Sequence, residues 1–351
     1  MRLKDQFVSA LLREIQTSGN SQLSFDTLHI GGGTPSLLDP AQIGQILETA
    51  FKHFRFTSDS EISMEINPGT ISSTQLSKYR NTGVNRLSIG VQSFNDSALA
   101  FLGRIHSAND ARLAVQAAGE AGFENVGIDL IYGIPGQTQH TWLNDLEKAF
   151  ALKPRHISCY ILTYESGTPL DRHRQNNSFS PVTDKVTGDM FQLTQAVLSA
   201  NGYAQYEISN FAKSFAARSR HNMKYWSLLP YIGLGPGAHS FIQPLRYWNH
   251  ANVIRYINDI NRHKRPVAGK EILTHEQQMI EAVYLGLRIT DGLDIKSFNN
   301  RFNVDFNQMF EELIGELKES GLIKTTPYKC TLSEKGMLFV DSIANMFTDK
   351  L

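Results

Sequence analysis

The sequence predicts an α/β protein built on a partial parallel barrel. Three observations carry that expectation. Short β-rich runs alternate with helical stretches through the first half, as strands and crossover helices do in a parallel sheet. Each run has one apolar face and one small or polar face. The repeat stops near residue 173, so other architecture follows it.

The runs are FDTLHIG (25–31), EISMEIN (61–67), RLSIGVQS (86–93), NVGIDLIYG (125–133) and HISCYILTY (156–164). One intervening helix starts at Asp39-Pro40, a cap followed by proline, with Gln42 completing a capping box. Another starts at Ser107, with Asp110 three residues on. Ile62, Met64 and Ile66 oppose Ser63, Glu65 and Asn67. Leu87, Ile89 and Val91 oppose Ser88, Gly90 and Gln92. Val126, Ile128 and Leu130 oppose Gly127 and Asp129. A closed barrel fills its interior with branched apolar side chains. A polar inner face predicts a wider barrel that holds a ligand, with its polar residues late in each strand.

Three parts are expected: the barrel at 1–172, an irregular α/β extension at 173–268, and a small winged-helix-like domain at 269–351. The last has helical patterns near 275–289, 294–302 and 305–320, then two short strands within GLIKTTPYKCTLSEKG. Acidic and basic residues balance at 34 each, and no basic stripe marks the wing, which argues against a nucleic-acid partner. No apolar run reaches the roughly 20 residues of a membrane span. The cytoplasm is the expected setting, and peripheral contact with membrane proteins stays open. Two cysteines, Cys159 and Cys330, give no disulfide framework and no metal cluster by themselves.

The candidate site begins at HIGGGTPSLL (29–38), three glycines closing a strand. No Gly-Lys-Ser/Thr follows, so it is not a phosphate loop, and Thr34-Pro35-Ser36 separate it from the next helix cap, unlike a dinucleotide turn. It is either a strained turn or a stretch of main chain offered to a polar ligand. Glu65, Gln92 and Asp129 recur at strand ends and could hold an ammonium, an amide or ribose hydroxyls. Arg104 in LGRIHS could fork onto a carboxylate. His221, beside Asn222, Tyr225 and Trp226 in HNMKYW, is either a structural histidine or a heme iron ligand flanked by rings that stack on a macrocycle.

GGGTPS, MEINPGT, SIGVQSFND, LGRIHS and GIDLIYGIPGQT resemble the radical S-adenosylmethionine proteins of the oxygen-independent coproporphyrinogen III oxidase group. The resemblance covers essentially the whole chain after its start. SRHNMKYW and GLGPGAHS resemble that group's heme chaperone branch, in which the first motif is associated with heme. The resemblance implies a partial barrel of about six strands and S-adenosylmethionine as cofactor. It assigns Gly32, Gly33 and Thr34 to the cofactor's amino group, and Glu65, Gln92, Arg104, Asp129, Tyr160, Thr163 and His239 to further cofactor contacts. It assigns His221, Asn222, Tyr225 and Trp226 to heme, and implies an apo-hemoprotein recipient. The alternatives are porphyrinogen decarboxylation and a cluster-free module that binds S-adenosylmethionine or heme. The group also carries a Cys-x3-Cys-x2-Cys loop for a 4Fe-4S cluster. This sequence has no such loop, and two explanations compete: a start at an internal methionine, with the barrel lacking its first unit, or a protein that has lost the cluster.

Overall fold

The computed structural model describes residues 3–19 and 23–351. Every strand expected in the first half is present: β1 (Ser24–Ile30), β2 (Arg55–Ile66), β3 (Arg86–Gln92), β4 (Asn125–Tyr132) and β5 (His156–Ile161). With β6 (Ala204–Gln205) and β7 (Asn210–Ala212) they form one sheet in the order β1-β2-β3-β4-β5-β7-β6. The links β2–β3, β3–β4 and β4–β5 are parallel, and β7 adds antiparallel to both β5 and β6.

The chain divides into two compact units, Leu28–Pro40 with Glu61–Arg218, and Met1–Thr27 with Ala41–Ser60 and Ser219–Leu351. The first of these units runs past residue 172 because β6 and β7, which follow the last parallel strand, extend the sheet. In the first of these units the apolar strand face is dry. Met64, Leu87, Ile89, Val91, Ile128 and Leu130 have no exposed surface. The helix Ala108–Glu120 packs on β3 and β4 with buried Ala111, Ala114, Val115 and Ala118, and it opens with the Ser107–Asp110 capping box expected from the sequence. The small alanines let that helix lie close to the sheet. Trp142, in the helix Gln139–Ala151, stacks on Tyr132 and donates its ring N–H to Thr194 Oγ1 at 2.8 Å.

In the other unit, the helix Leu3–Ser18 packs on the helix Val253–Asn261 around Ala10, Tyr256, Ile257 and Ile260. Glu14 is buried there, yet it is well served. It accepts from Gly235 N, Asn249 Nδ2 and the Tyr256 hydroxyl, each at 2.7 Å. That carboxylate ties the glycine loop before β8 (His239–Ile242) to the first helix. β8 forms an antiparallel sheet with β9 (Leu245–Asn249) and β10 (Val267–Ile272). A third sheet joins β11 (Leu293–Asp294), β12 (Ile323–Thr325) and β13 (Lys329–Leu332), with β13 central. The helices His275–Gly286, Ile295–Phe302, Phe306–Met309 and Glu311–Glu319 match the expected helical stretches, with a break at Phe310.

Replacing Glu14 by alanine strands two buried donors, Gly235 N and the Tyr256 hydroxyl, while Asn249 Nδ2 keeps the Gly235 carbonyl. At roughly 1–3 kcal/mol for each unsatisfied group, without full additivity, Glu14→Ala is expected to lose about 3 kcal/mol or more in urea unfolding. Glu14→Gln, which can still accept, should lose less.

Candidate functional site

Alternation places Ser63, Glu65, Ser88, Gly90, Gly127, Asp129, Ser158 and Tyr160 on the face opposite the helices, and the register brings them side by side. Glu65 pairs with Ser88, Ser88 with Gly127, Asp129 with Ser158, and Ile131 with Tyr160. Ser88 Oγ donates to Asp129 Oδ2 at 2.8 Å. Burial pushes the Asp129 carboxyl above its ordinary range; Ser158 and Ser88 pull it down, and the Glu65 charge adds to the rise. Deeper on the same face, Arg86 lies 3.6 Å from Glu61 and donates to Ala217 O at 2.9 Å. His156 meets the Tyr206 hydroxyl at 2.7 Å, and burial followed by the Arg86 charge keeps its imidazole neutral.

The glycine turn closes β1 beside Glu65. Gly32 N donates to Glu65 Oε2 at 3.2 Å. His29 bridges Ser63 Oγ at 2.9 Å and Glu65 Oε1 at 3.3 Å. A Cβ on Gly31 would overlap His29 Nε2 and sit 2.7 Å from Glu65 Oε1, so glycine there makes room for this pair. Gly32 has φ 78°, a left-handed conformation that glycine adopts without penalty. The space where side chains on Gly32 and Gly33 would stand is open. Thr34 caps the short helix Pro35–Leu37 through its backbone, and its side chain makes no capping bond. Glu65 keeps 42% of its side chain exposed, so a ligand can reach it.

Gln92 departs from the expected row. The ladder shifts between Ile89 and Gln92, Gln92 has φ 66°, and it pairs with Leu130. Its amide nitrogen still lies 2.9 Å from where a Cβ on Gly90 would be, so the side chain folds back over Gly90 onto the polar face. Asp129 is the fifth residue of β4 and lies mid-strand, whereas Glu65 and Gln92 do end theirs. Arg104 is half-buried, and burial lowers its guanidinium. Tyr160 and Thr163 line a cavity of about 520 Å³ with Ile131, Ile161, Leu162 and Ser209. The Tyr160 ring is 39% exposed, but its hydroxyl end is desolvated beside Asp129, which raises the phenol, while Ser158 and Asn210 bond to it.

His239 and the HNMKYW residues belong to the other unit. His239 is exposed and stacks on Trp248, with ring centroids 5.7 Å apart. HNMKYW, with Arg220 before it, forms a seven-residue helix, Arg220–Trp226, whose cap Ser219 accepts from Asn222 N. None of its residues is fully buried. His221 and Tyr225 share one face, with rings perpendicular at 5.0 Å, and Tyr225 continues to Tyr231 at 4.7 Å. Trp226 Nε1 is a buried donor with no hydrogen-bond partner among the described residues.

His29, Ser88, Ser158, Arg86 and His156 were not singled out from the sequence as candidates. Their signal is a titratable or hydroxyl side chain on the non-helical face of a strand. Arg86 and His156 are the first residues of their strands, where the alternation has only begun. Both cysteines are buried, and burial raises the Cys159 thiol well above its ordinary value and Cys330 to about 12.

A buried carboxyl with a raised pKa is stabilised most when protonated. The folded state then holds a proton that the unfolded state releases, so Asp129's contribution falls as pH rises above about 3.9 through its folded value. Asp129→Asn is therefore expected to raise stability in urea at pH 7, with the gain shrinking towards pH 4. An equal gain at both pH values would contradict the direction.

Comparison with known proteins gives two family matches: the radical SAM superfamily over residues 8–149 and the HemN C-terminal domain over residues 273–339. The chain is 33% identical to heme chaperone HemW of Bacillus subtilis, covering 99% of this chain and 92% of that protein. It is 36% identical to heme chaperone HemW of Synechocystis, covering 82% and 70%. Among solved structures, coproporphyrinogen III oxidase (HemN) of Escherichia coli, titled a radical SAM enzyme, superposes with a TM-score of 0.84 at 26% identity, covering 99% of this chain and 83% of that one.

Proposed function

The chain belongs to the radical SAM superfamily, in the family of its HemW-named relatives, and on that premise we propose that it binds heme and delivers it to an apo-hemoprotein. The observation that carries the reading is the helix Arg220–Trp226. It turns His221 and Tyr225 to one partly exposed face and leaves the Trp226 ring N–H without a hydrogen-bond partner among the described residues. A neutral imidazole ligates heme iron, flat rings cover a macrocycle, and a buried N–H seeks an acceptor such as a propionate. His221 is the proposed ligand, with Asn222, Tyr225 and Trp226 lining the site.

The proposed S-adenosylmethionine site is the rim of the polar sheet face. The turn Gly32-Gly33-Thr34 and Glu65 would take the ammonium, Arg104 the carboxylate, and Gln92, Asp129, Tyr160 and Thr163 the remaining polar groups. The open space at Gly32 and Gly33 and the exposed Glu65 carboxylate support this placement. His239 is kept as a proposed contact on the family motif alone. The residues present do not fit the superfamily's 4Fe-4S cluster: the two thiols are buried, and Cys159 and Cys330 fall in different units. The partial-barrel reading of the sheet and the winged-helix reading of 269–351 are likewise proposals, the latter supported by the small sheet of β11, β13 and β12 among its helices. Among the described residues no helix is long and apolar enough to cross a membrane.

Heme titration tests the carrying observation. Wild type should give a Soret band that His221→Ala shifts or abolishes, with affinity lower by roughly tenfold or more, about 1.4 kcal/mol. An unchanged spectrum and affinity would remove His221 as ligand. The second reading, coproporphyrinogen oxidation, rests on the likeness to the Escherichia coli enzyme. It gains if Glu65→Ala alone loses heme.

Calorimetry with S-adenosylmethionine tests the other site. Glu65→Ala removes a charge-assisted hydrogen bond and should weaken binding by roughly 1.5–3 kcal/mol. Equal affinities for both proteins would move the ammonium elsewhere.

A further inference from the structure

We infer that Asp26 is a positioning residue for the heme helix, setting the direction in which His221 and Tyr225 face; this rests on the heme reading of HNMKYW. A helix of seven residues is too short to persist on its own hydrogen bonds, and none of its side chains is fully buried. Polar attachments therefore weigh heavily in its orientation. Arg220 and Lys224 are one helical turn apart and converge on the single carboxylate of Asp26 in β1. Lys224 Nζ lies 2.6 Å from Oδ1 and 2.8 Å from Oδ2, and Arg220 Nη2 lies 3.1 Å from Oδ2. Arg220 Nη1 reaches a second strand at Asp59, donating to its carbonyl at 2.7 Å and lying 3.3 Å from its carboxylate.

The geometry of these contacts decides their effect. One ion pair fixes a distance, whereas two on the same row of a helix also fix its rotation. His221 and Tyr225 form the adjacent row, turned by about 100° around the axis. Holding the 220/224 row on Asp26 therefore sets where the 221/225 row points. Asp26 is 34% exposed and Lys224 23%, so solvent screens the clamp only in part. Burial alone would raise the Asp26 carboxyl, but Lys224 and Arg220 outweigh it and hold the group below its ordinary value. The charges are thus engaged with one another.

The test has two arms on the full chain. Hydrogen exchange without heme, read on peptides spanning residues 219–229, should accelerate roughly tenfold in Asp26→Ala, about 1.4 kcal/mol of lost local protection. Asp26→Glu should restore most of it. Heme titration should then show Asp26→Ala with a displaced Soret band and roughly tenfold weaker binding, again rescued by Asp26→Glu. If circular dichroism shows Asp26→Ala misfolded, the double variant Arg220→Gln, Lys224→Gln breaks the same clamp from the helix side and is read identically. Unchanged exchange and an unchanged Soret band in the folded variant overturn the inference. Faster exchange with an unaltered heme spectrum also overturns it, since the clamp would then be merely structural. The exchange arm needs no heme, so it stands or falls apart from the ligand assignment, which fails on its own if His221→Ala keeps the wild-type spectrum.

Discussion

The candidate cofactor site depends on one constraint: a sheet face that is polar must satisfy its own buried groups. The helical face of β2, β3 and β4 is filled by Met64, Leu87, Ile89 and Ile128 and asks for nothing but contact. The other face carries a guanidinium, carboxylates, imidazoles and hydroxyls. Buried polar groups are costly unless paired, and a network serves them only when complete. Arg86 is met by Glu61 and by the Ala217 carbonyl, His156 by Tyr206 at Nε2 while its Nδ1 has no hydrogen-bond partner among the described residues, and Asp129 by Ser88. What sets the rim apart is access to solvent. Glu65 has the Gly32 amide and His29, yet much of its carboxylate remains exposed. A site for a polar ligand lies where the internal network leaves acceptors and donors available.

Much of this was legible in the sequence, because strand period and burial speak the same language. The alternation in EISMEIN, RLSIGVQS and NVGIDLIYG gave the strands, the covered face and the positions of Glu65 and Asp129. It could not give Gln92 its true register, since a one-residue shift after Ile89 leaves no mark on a hydrophobic pattern. Nor could it place β6 and β7 on the sheet. Two- and three-residue strands carry too little period, and their antiparallel addition to β5 is a long-range event. The capping box at Ser107 is local and readable. The clamp on Asp26 is not, because its partners lie 194 and 198 residues away.

HNMKYW shows the same division within one motif. Its residue types suggested a heme ligand and stacking rings, and the helix puts His221 and Tyr225 together as i and i+4 neighbours. The spacing could not show that the intervening basic residues also matter. Arg220 and Lys224 read as ordinary solvated charges on an exposed turn. In the fold they join the helix to two strands. A short motif without buried side chains must borrow its rigidity, so its flanking charges become part of its design.

The three glycines after Ile30 answer to more than one demand, which is why one glycine would not do. At Gly31 the demand is volume, because the His29 ring and the Glu65 carboxylate occupy the place of a side chain. At Gly32 it is conformation, since φ 78° aims the amide at Glu65 Oε2. At Gly33 a positive φ of 156° again favours glycine, and the surrounding space is open. A turn built only to reverse the chain would need the second of these alone. The first ties the turn to the carboxylate, and the third leaves bare main chain beside it. Together they support the proposed seat for a ligand with a positive head group: a charge to approach, a fixed amide holding that charge in place, and backbone it can touch.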